Sequence, residues 1–409
     1  MIHSVRAPRA LKVCRLSLPA SKSISNRLLI CQAIAGSDLL IGNLSNSDDT
    51  VVLNRLLQQP ERVMDVGRAG TAMRFLSAFL STQPGEWILT GDERMKKRPI
   101  EGLVNALRKL GADIEYLEEI GYPPLQIKGK KLSGTTLRME AGTSSQFLTA
   151  LMLIAPSLDA PLEILLEGEV VSRPYLQMTI EVLRWYQIKV SVSYRRIVVH
   201  PGVLKARPIL VEADWSAASY WYEILALSNG GEVFLEGLKD YSWQGDRVVA
   251  SLFEPLGVKS EFKKDGVRLY KSQYAEVDRL SLDGTEFPDL VQTLAAVAVG
   301  LRLPANMTGL RTLRVKETDR IQALDNELSK LGVAVKSLPD QLELRSRSLR
   351  FPADVQFETY GDHRMAMALA PLAFGCGRVK INDPGVVSKS YPNYWEHLEK
   401  VGFIIGEET

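Results

Sequence analysis

The 409-residue sequence predicts a two-domain α/β protein built from six copies of one unit, each with two helices and several strands. Three observations carry that expectation. Six helix starts with a polar opening turn run into stretches that are apolar on every face. A second helix in the blocks ends in a glycine-like stop followed by alternating residues. Those stops recur at nearly constant spacing, the signature of a repeated structural unit.

The first set of starts reads Ser21-Lys22-Ser23, Ala69-Gly70-Thr71, Thr143-Ser144-Ser145-Gln146, Asp214-Trp215-Ser216, Phe287-Pro288-Asp289 and Gly361-Asp362-His363-Arg364. They lead into LLICQAIA, MRFLSAFL, FLTALMLIAP, YWYEILAL, LVQTLAAVAV and MAMALAPLAF. Helices apolar all round belong in an interior, not on a half-wet surface. When only the first turn is polar, its unpaired N–H groups and its Lys, Ser, Gln, Arg or His side chains gather in one place. Such a place attracts anions.

The second helices end in LRKLGADIEY, LRWYQIKVSV, FEPLGVKSEF, LSKLGVAVKS and LEKVGFII. Gly after the last apolar residue stops a helix, and the alternation beyond it reads as a strand. The stops fall at Gly111, Gln187, Gly257, Gly332 and Gly402, at intervals of 76, 70, 75 and 70 residues. The first copy is short. Its second helix is expected at residues 49–58, and only 54 residues separate Leu57 from Gly111, so a hairpin is missing between Gln58 and Gly70. A strand is expected at 11–18. The expected division is one domain of residues 1–18 plus 213–409, carrying both termini, and an inserted three-repeat domain of residues 19–212. Without a Gly/Ser linker the crossings are short, which suits a hinge that brings both sets of polar helix ends to one cleft.

Composition excludes several classes. At 45% hydrophobic and 24% charged residues the chain is ordinary globular protein, and the net charge is +2 with no basic tail, so nucleic acid is not an expected partner. Cys14, Cys31 and Cys376 lack metal-ligand spacing and are expected as reduced, buried thiols. The start MIHSVRAPRA has no apolar signal core and no run is long enough to span a bilayer, so a cytoplasmic protein with no membrane partner is expected.

The chemistry concentrates at helix starts. PASKSISNR (19–27) sets Lys22 and Asn26, and Ser23 and Arg27, at i,i+4, and it lacks P-loop glycines. In RVKETDR (314–320), read as helical, Lys316 and Arg320 share a face with Glu317 one residue round between two cations. GDHRMAM (361–367) opens a buried helix with His363 and Arg364 after an Asp362 cap. Asp289 opens a buried helix without an adjacent cation. Such a set fits multiply charged small anions and acid–base chemistry with no cofactor and no metal.

In order, PASKSISNR, AGTAMR, MKKRPI, SSQFLTAL, SRPY, QGD, PD, RVKETDR, GDHRMAM and SKSYPNYW closely resemble the 5-enolpyruvylshikimate-3-phosphate (EPSP) synthase family over residues 19–395. The resemblance implies an inside-out α/β barrel in each of two domains, six βαβαββ-type repeats with three per domain, the first truncated here. It implies transfer of the enolpyruvyl group of phosphoenolpyruvate to the 5-hydroxyl of shikimate 3-phosphate, with no cofactor, by a monomer. Carried over by motif, shikimate 3-phosphate meets Lys22, Ser23, Arg27, Ser144, Ser145, Gln146, Ser172, Tyr175, Asp289, Thr312 and Lys316. Phosphoenolpyruvate, or glyphosate in its subsite, meets Lys22, Gly70, Arg98, Gln146, Arg320, Arg364 and Lys389. Asp289 and Glu317 are then the acid–base residues, with Lys22 near both and His363 in support. At Thr312 bacterial members often carry Asn or another small or polar residue; Thr keeps one hydroxyl donor. The sister family acting on UDP-N-acetylglucosamine places a Cys in the loop that here reads TGDERMKKR (90–98), which has none. A non-catalytic anion-binding homologue would not need Lys22, Asp289 and Glu317 together.

Overall fold

The computed structural model describes residues 1–36, 39–140, 142, 144–272, 277–346 and 349–408, and the chain separates into two compact units. One is Ser21–Val211; the other joins Met1–Ala20 to Glu212–Thr409.

Ser21–Val211 begins with α1 (Lys22–Ala35), capped by the Ser21 hydroxyl, which accepts from the Ile24 N–H, and closed by Gly36 at φ 58°. A two-residue strand, Ile41–Gly42, and α2 (Asp48–Gln58) follow. The next strand, Val63–Asp65, already belongs to another sheet, so no hairpin follows α2. Where the other units carry four strands, this one has two: Ile41–Gly42 pairs in parallel with Ile209–Leu210, the last segment before the chain leaves the unit.

The complete pattern starts at Val63–Asp65, continues through α3 (Gly70–Thr82) to the parallel strand Gly85–Thr90, and then through α4 (Glu101–Lys109) to an antiparallel pair, Asp113–Tyr116 and Leu125–Gly129. The same order recurs with Thr136–Glu140, α5 (Ser145–Ile154), Leu162–Glu167, α6 (Arg173–Trp185), Val190–Ser193 and Arg196–Val199.

The other unit repeats it three times. The strand expected at 11–18 is shorter, Cys14–Ser17, and it pairs in parallel with Glu232–Glu236. The helix that leads into Glu232–Glu236, α7 (Trp215–Leu227), comes two hundred residues after Cys14–Ser17 in sequence. The second helix of this block shrinks to a 3-10 turn, Gly245–Val248, and α8 (Val249–Leu252). The next block holds α9 (Val291–Gly300), preceded by a 3-10 turn Pro288–Leu290, and α10 (Arg320–Ser329). In the last, α11 (His363–Leu369) breaks into a 3-10 turn at Ala370–Leu372 before α12 (Ala373–Cys376), because Pro371 has no N–H to continue the ladder. After α13 (Tyr394–Lys400), strand Ile404–Glu408 pairs with Ile2–Arg6, so the N-terminal strand completes the C-terminal block.

The all-round apolar helices are interior. Every residue of α9 from Val291 to Val299 is buried, as are all of α11 and Ala217–Ala226 of α7. Cys31 and Cys376 are buried and Cys14 is only half-buried, a departure from the expectation of three buried thiols.

The five stops hold. Gly111, Gly257, Gly332 and Gly402 take φ of 100°, 87°, 80° and 107°, and Gln187 takes 63°. At Gly111 the N–H donates to Arg108 O while Ala112 N donates to Leu107 O, the paired bonds of a Schellman end. Gln187 and Ile188 make the same two bonds to Arg184 and Leu183. Left-handed backbone costs a side-chain-bearing residue about 1–2 kcal/mol, which glycine avoids at some loss of unfolded-state freedom. Gln187 is exposed, so its side chain contributes no packing. Gln187→Gly should therefore raise stability by roughly 0.5–1 kcal/mol, read as a higher denaturant midpoint at unchanged slope; a lower midpoint would contradict this.

Candidate active site

In Ser21–Val211 the polar residues gather on the opening turns of α1, α3, α5 and α6. Lys22 is the first residue of α1, and its Nζ lies 3.4 Å from Asp49 Oδ2 on α2. One turn on, Arg27 is 4% exposed and donates to Thr179 Oγ1 (2.9 Å), Ser23 O (2.8 Å), Thr149 Oγ1 (3.3 Å) and Tyr175 O (3.1 Å). All four acceptors are neutral. Burial pulls the guanidinium down to about 10, with Tyr175 and Cys31 opposing. Arg27 thus ties α1 to α5 and α6 and keeps an uncompensated positive charge.

Gly70 opens α3 under the Arg98 side chain. A Cβ built there would lie 2.3 Å from Arg98 Nη1 and 2.8 Å from its central carbon, so only glycine lets the guanidinium rest on the helix start. Arg98 is 7% exposed and its Nε has no hydrogen-bond partner among the described residues. Arg74 fixes the surroundings by donating to Gly70 O (3.3 Å) and Pro99 O (3.0 Å). At the start of α5, Ser144 Oγ caps Gln146 N, Ser145 is the first helical residue, and Gln146 Nε2 reaches Thr71 Oγ1 at 3.3 Å. Thr143 lies outside the described residues. Ser172, before α6, sits in left-handed backbone at φ 56°, a strained conformation for serine that clusters at functional positions.

In the other unit the charges interlock. Arg320, 1% exposed, donates through Nε to Asp362 Oδ2 (2.7 Å), through Nη1 to Asp289 Oδ1 (3.2 Å) and through Nη2 to Glu317 Oε2 (2.9 Å). Arg364 Nη2 meets Asp289 Oδ2 at 2.7 Å, and Lys316 Nζ stands 4.0 Å from Asp289 Oδ1. Lys389 Nζ lies 3.4 Å from Glu317 Oε1. Asp362 caps α11 by accepting from Arg364 N, and His363, 1% exposed, has Nδ1 3.7 Å from Asp362 Oδ1. Burial alone would push the Asp289 carboxyl up, but Arg364, Lys316 and Arg320 outweigh it and hold Asp289 far below the usual carboxylate range. For Arg320, burial works against the charge while Asp362, Glu317 and Asp289 raise it above its ordinary value. Burial draws Lys316 down, partly opposed by Asp289.

The local backbone differs from the helical reading of RVKETDR. A 3-10 turn covers Arg311–Val315, Lys316 is extended, and α10 starts only at Arg320 behind an Asp319 cap. Lys316 and Arg320 meet at Asp289 because the chain turns, not through i,i+4 spacing. Arg314 pins that turn by donating to Asp319 Oδ2 (2.8 Å) and Leu338 O (2.6 Å). Thr312 lies half-buried in the 3-10 turn. Asp289 also sits inside a 3-10 turn instead of capping α9. Three residues were not singled out from sequence: Asp49 beside Lys22, Asp362 as an ionic partner of Arg320, and Tyr220, whose hydroxyl receives Arg364 Nη1 at 3.4 Å. Only Asp362 carried a sequence signal, its cap position.

A family model described as EPSP synthase (3-phosphoshikimate 1-carboxyvinyltransferase) matches residues 51–398. A 3-phosphoshikimate 1-carboxyvinyltransferase of Bacteroides fragilis is 45% identical over 412 residues, covering 100% of both chains. One from Colwellia psychrerythraea is 36% identical over 94% of this chain and 96% of its own. Among solved structures, EPSP synthase from Acinetobacter baumannii covers 100% of both chains at a TM-score of 0.77 and 20% identity. The enolpyruvyl transferase NikO from Streptomyces tendae reaches 0.74 at 14% identity, covering 100% of this chain and 99% of its own. At those identities the two structures speak to the fold.

Removing one partner of a buried ion pair leaves the other charge uncompensated. Asp362→Asn should therefore lower stability by about 3 kcal/mol, whereas Asp319→Ala, losing a cap and the solvent-accessible pair with Arg314, should cost about 1–2 kcal/mol. Comparable losses in denaturant titrations would contradict the weight given to Arg320–Asp362. The depressed Asp289 pKa has a sign. Its contribution is fully present above the unfolded value of about 4 and is lost as pH falls through the lower folded value. Stability should fall on acidification below about pH 4, less steeply in Asp289→Asn.

Proposed function

Because the chain belongs to the EPSP synthase family, we propose that these helix starts and turns are its active site, with Asp289 and Glu317 as the acid–base pair. The reaction is the transfer of the enolpyruvyl group of phosphoenolpyruvate to the 5-hydroxyl of shikimate 3-phosphate, releasing phosphate, the sixth step of the shikimate pathway to chorismate. The observation that carries the residue assignment is the pair of carboxylates set among Lys316, Arg320, Arg364 and Lys389.

Each carboxylate has a task suited to its surroundings. Asp289, held ionised, accepts the proton of the 5-hydroxyl as that oxygen bonds to C2 of phosphoenolpyruvate. Glu317 gives a proton to the methylene carbon, which becomes a methyl group, and a tetrahedral ketal forms. Glu317 then takes a methyl proton back, the C–O bond to phosphate breaks with its electron pair, the proton held on Asp289 leaves with the phosphate, and the vinyl group is restored. Arg320 and Lys389 flank Glu317 at 2.9 and 3.4 Å. Substrate anions engage those cations, which lets Glu317 carry the proton the step requires. The fixed cations stabilise the ketal, which bears both phosphate and carboxylate charge. The substrate contacts assigned by resemblance are retained: Lys22, Gly70, Arg98, Gln146, Arg320, Arg364 and Lys389 for phosphoenolpyruvate, and the serine-rich starts with Arg27, Thr312 and Lys316 for shikimate 3-phosphate. His363 supports the network through Asp362.

No helix among the described residues is long and apolar enough to cross a membrane. Work as a cytoplasmic monomer on small anions, without a nucleic-acid partner, fits the dispersed basic residues.

Phosphate should be released only when both substrates are present. Glu317→Gln keeps the side-chain shape and removes the proton, so kcat should fall by about 10²–10⁴ with little change in KM for shikimate 3-phosphate. Normal turnover would reduce Glu317 to an ion-pair partner of Arg320. The Gly70→Ala methyl would displace the Arg98 guanidinium, so KM for phosphoenolpyruvate should rise together with the inhibition constant of glyphosate. A change in glyphosate inhibition alone would show that Arg98 does not contact phosphoenolpyruvate.

A further inference from the structure

Gln244-Gly245-Asp246 is the one motif of the ordered set still without a role. It leads into the 3-10 turn Gly245–Val248, which packs on the start of α7. Gln244 clamps that start: its Oε1 accepts from Trp215 N at 3.0 Å, and its Nε2 donates to Glu212 Oε1 and Ala213 O, each at 2.8 Å. Asp246 is 4% exposed. Its Oδ2 accepts from the Ser216 hydroxyl, while its Oδ1 has no hydrogen-bond partner among the described residues.

Asp246 is tied to the face of α7 that Arg364 also reaches: its donor Ser216 lies one turn before Tyr220, whose hydroxyl receives Arg364 Nη1, and the charges acting on it are those of Asp289, Arg364 and Asp214. On its own turn, Arg247 is engaged by Asp240. A buried carboxylate with one hydroxyl donor and further carboxylates near it is poorly compensated as an anion, and the neutral acid is the better-accommodated form.

We propose that Asp246 is a further positioning residue of the anion site: it rests there as a neutral acid, and on ionising it places a second negative charge near Arg364 that competes with phosphoenolpyruvate. This rests on the reading that Arg364 receives phosphoenolpyruvate. Burial pushes the Asp246 carboxyl up to about 7, Asp289 adds to the rise, and Ser216 and Arg364 oppose it. Asp289 stays ionised, so the environment drives two nearby carboxyls apart in acidity, the pattern that divides roles between paired acids. On the acid side of that value the Asp246 charge is removed and Arg364 keeps its ion pair with Asp289. On the basic side it answers to both, and its pull on an incoming anion weakens.

The test compares KM for phosphoenolpyruvate at saturating shikimate 3-phosphate in wild type, Asp246→Asn and Ser216→Ala, from about pH 6 to about pH 8, bracketing the Asp246 value. Titration of phosphoenolpyruvate itself is common to all three and cancels in their ratios. The wild-type KM should rise roughly three- to tenfold more across this range than that of Asp246→Asn. In Ser216→Ala the rise should move to higher pH, because the lost hydroxyl had favoured the ionised form. Identical profiles for wild type and Asp246→Asn would overturn the proposal. Should Asp246→Asn fail to fold, an unmoved or oppositely moved profile in Ser216→Ala overturns it instead. Arg364→Ala separates the two ideas: a raised KM beside identical wild-type and Asp246→Asn profiles rejects the role of Asp246 alone, whereas an unchanged KM removes Arg364 from the phosphoenolpyruvate site and the proposal with it.

Discussion

A guanidinium buried to 1% exposure has to be compensated, and Arg320 is compensated by three carboxylates at once. That requirement organises the larger unit. Asp362 comes from the cap of α11, Asp289 from the 3-10 turn ahead of α9, and Glu317 from the turn before α10, so one side chain fixes three segments against each other. Because Arg364, Lys316 and Lys389 reach the same carboxylates, cations in the set outnumber anions. On the assignment proposed above, that surplus is what an anionic substrate meets, and structural ion pairs and reactive groups are the same atoms.

Arg27 solves the same burial problem differently. Its partners are two threonine hydroxyls and two backbone carbonyls, and burial lowers its pKa where the carboxylates of the other unit raise that of Arg320. Neutral acceptors hold its position without cancelling its charge. The truncated first unit, with its two-stranded sheet, still presents Lys22 and Arg27, because both are carried by α1 and neither needs the missing hairpin.

Much of this was legible in the sequence. Apolar periodicity marked the interior helices, and the glycine-like stops marked the repeat, since left-handed helix ends leave a local residue signature. The shortened first unit followed from spacing alone. What could not be read was geometry set by distant partners. The RVKETDR segment looked helical because its charges fit i,i+4 spacing, yet the Asp319 cap and the Arg314 clamp start the helix only at Arg320. Asp49 and Tyr220 gave no signal, because their ionic or hydrogen-bond partners lie on other helices. The N-terminal strand was likewise illegible as the partner of both Arg378–Asn382 and Ile404–Glu408, a pairing that only the assembled sheet reveals.

The central claim is that Glu317 moves a proton to and from the methylene carbon of phosphoenolpyruvate while Asp289, ionised at the start, takes the proton of the 5-hydroxyl. Hydrogen exchange at that carbon reads this directly. In deuterated water with shikimate 3-phosphate present, the wild-type protein should place deuterium in the vinyl group of product and of recovered phosphoenolpyruvate. Glu317→Gln should bind shikimate 3-phosphate as well as wild type and incorporate almost none. Vinyl deuterium appearing at the wild-type rate in Glu317→Gln would contradict the account.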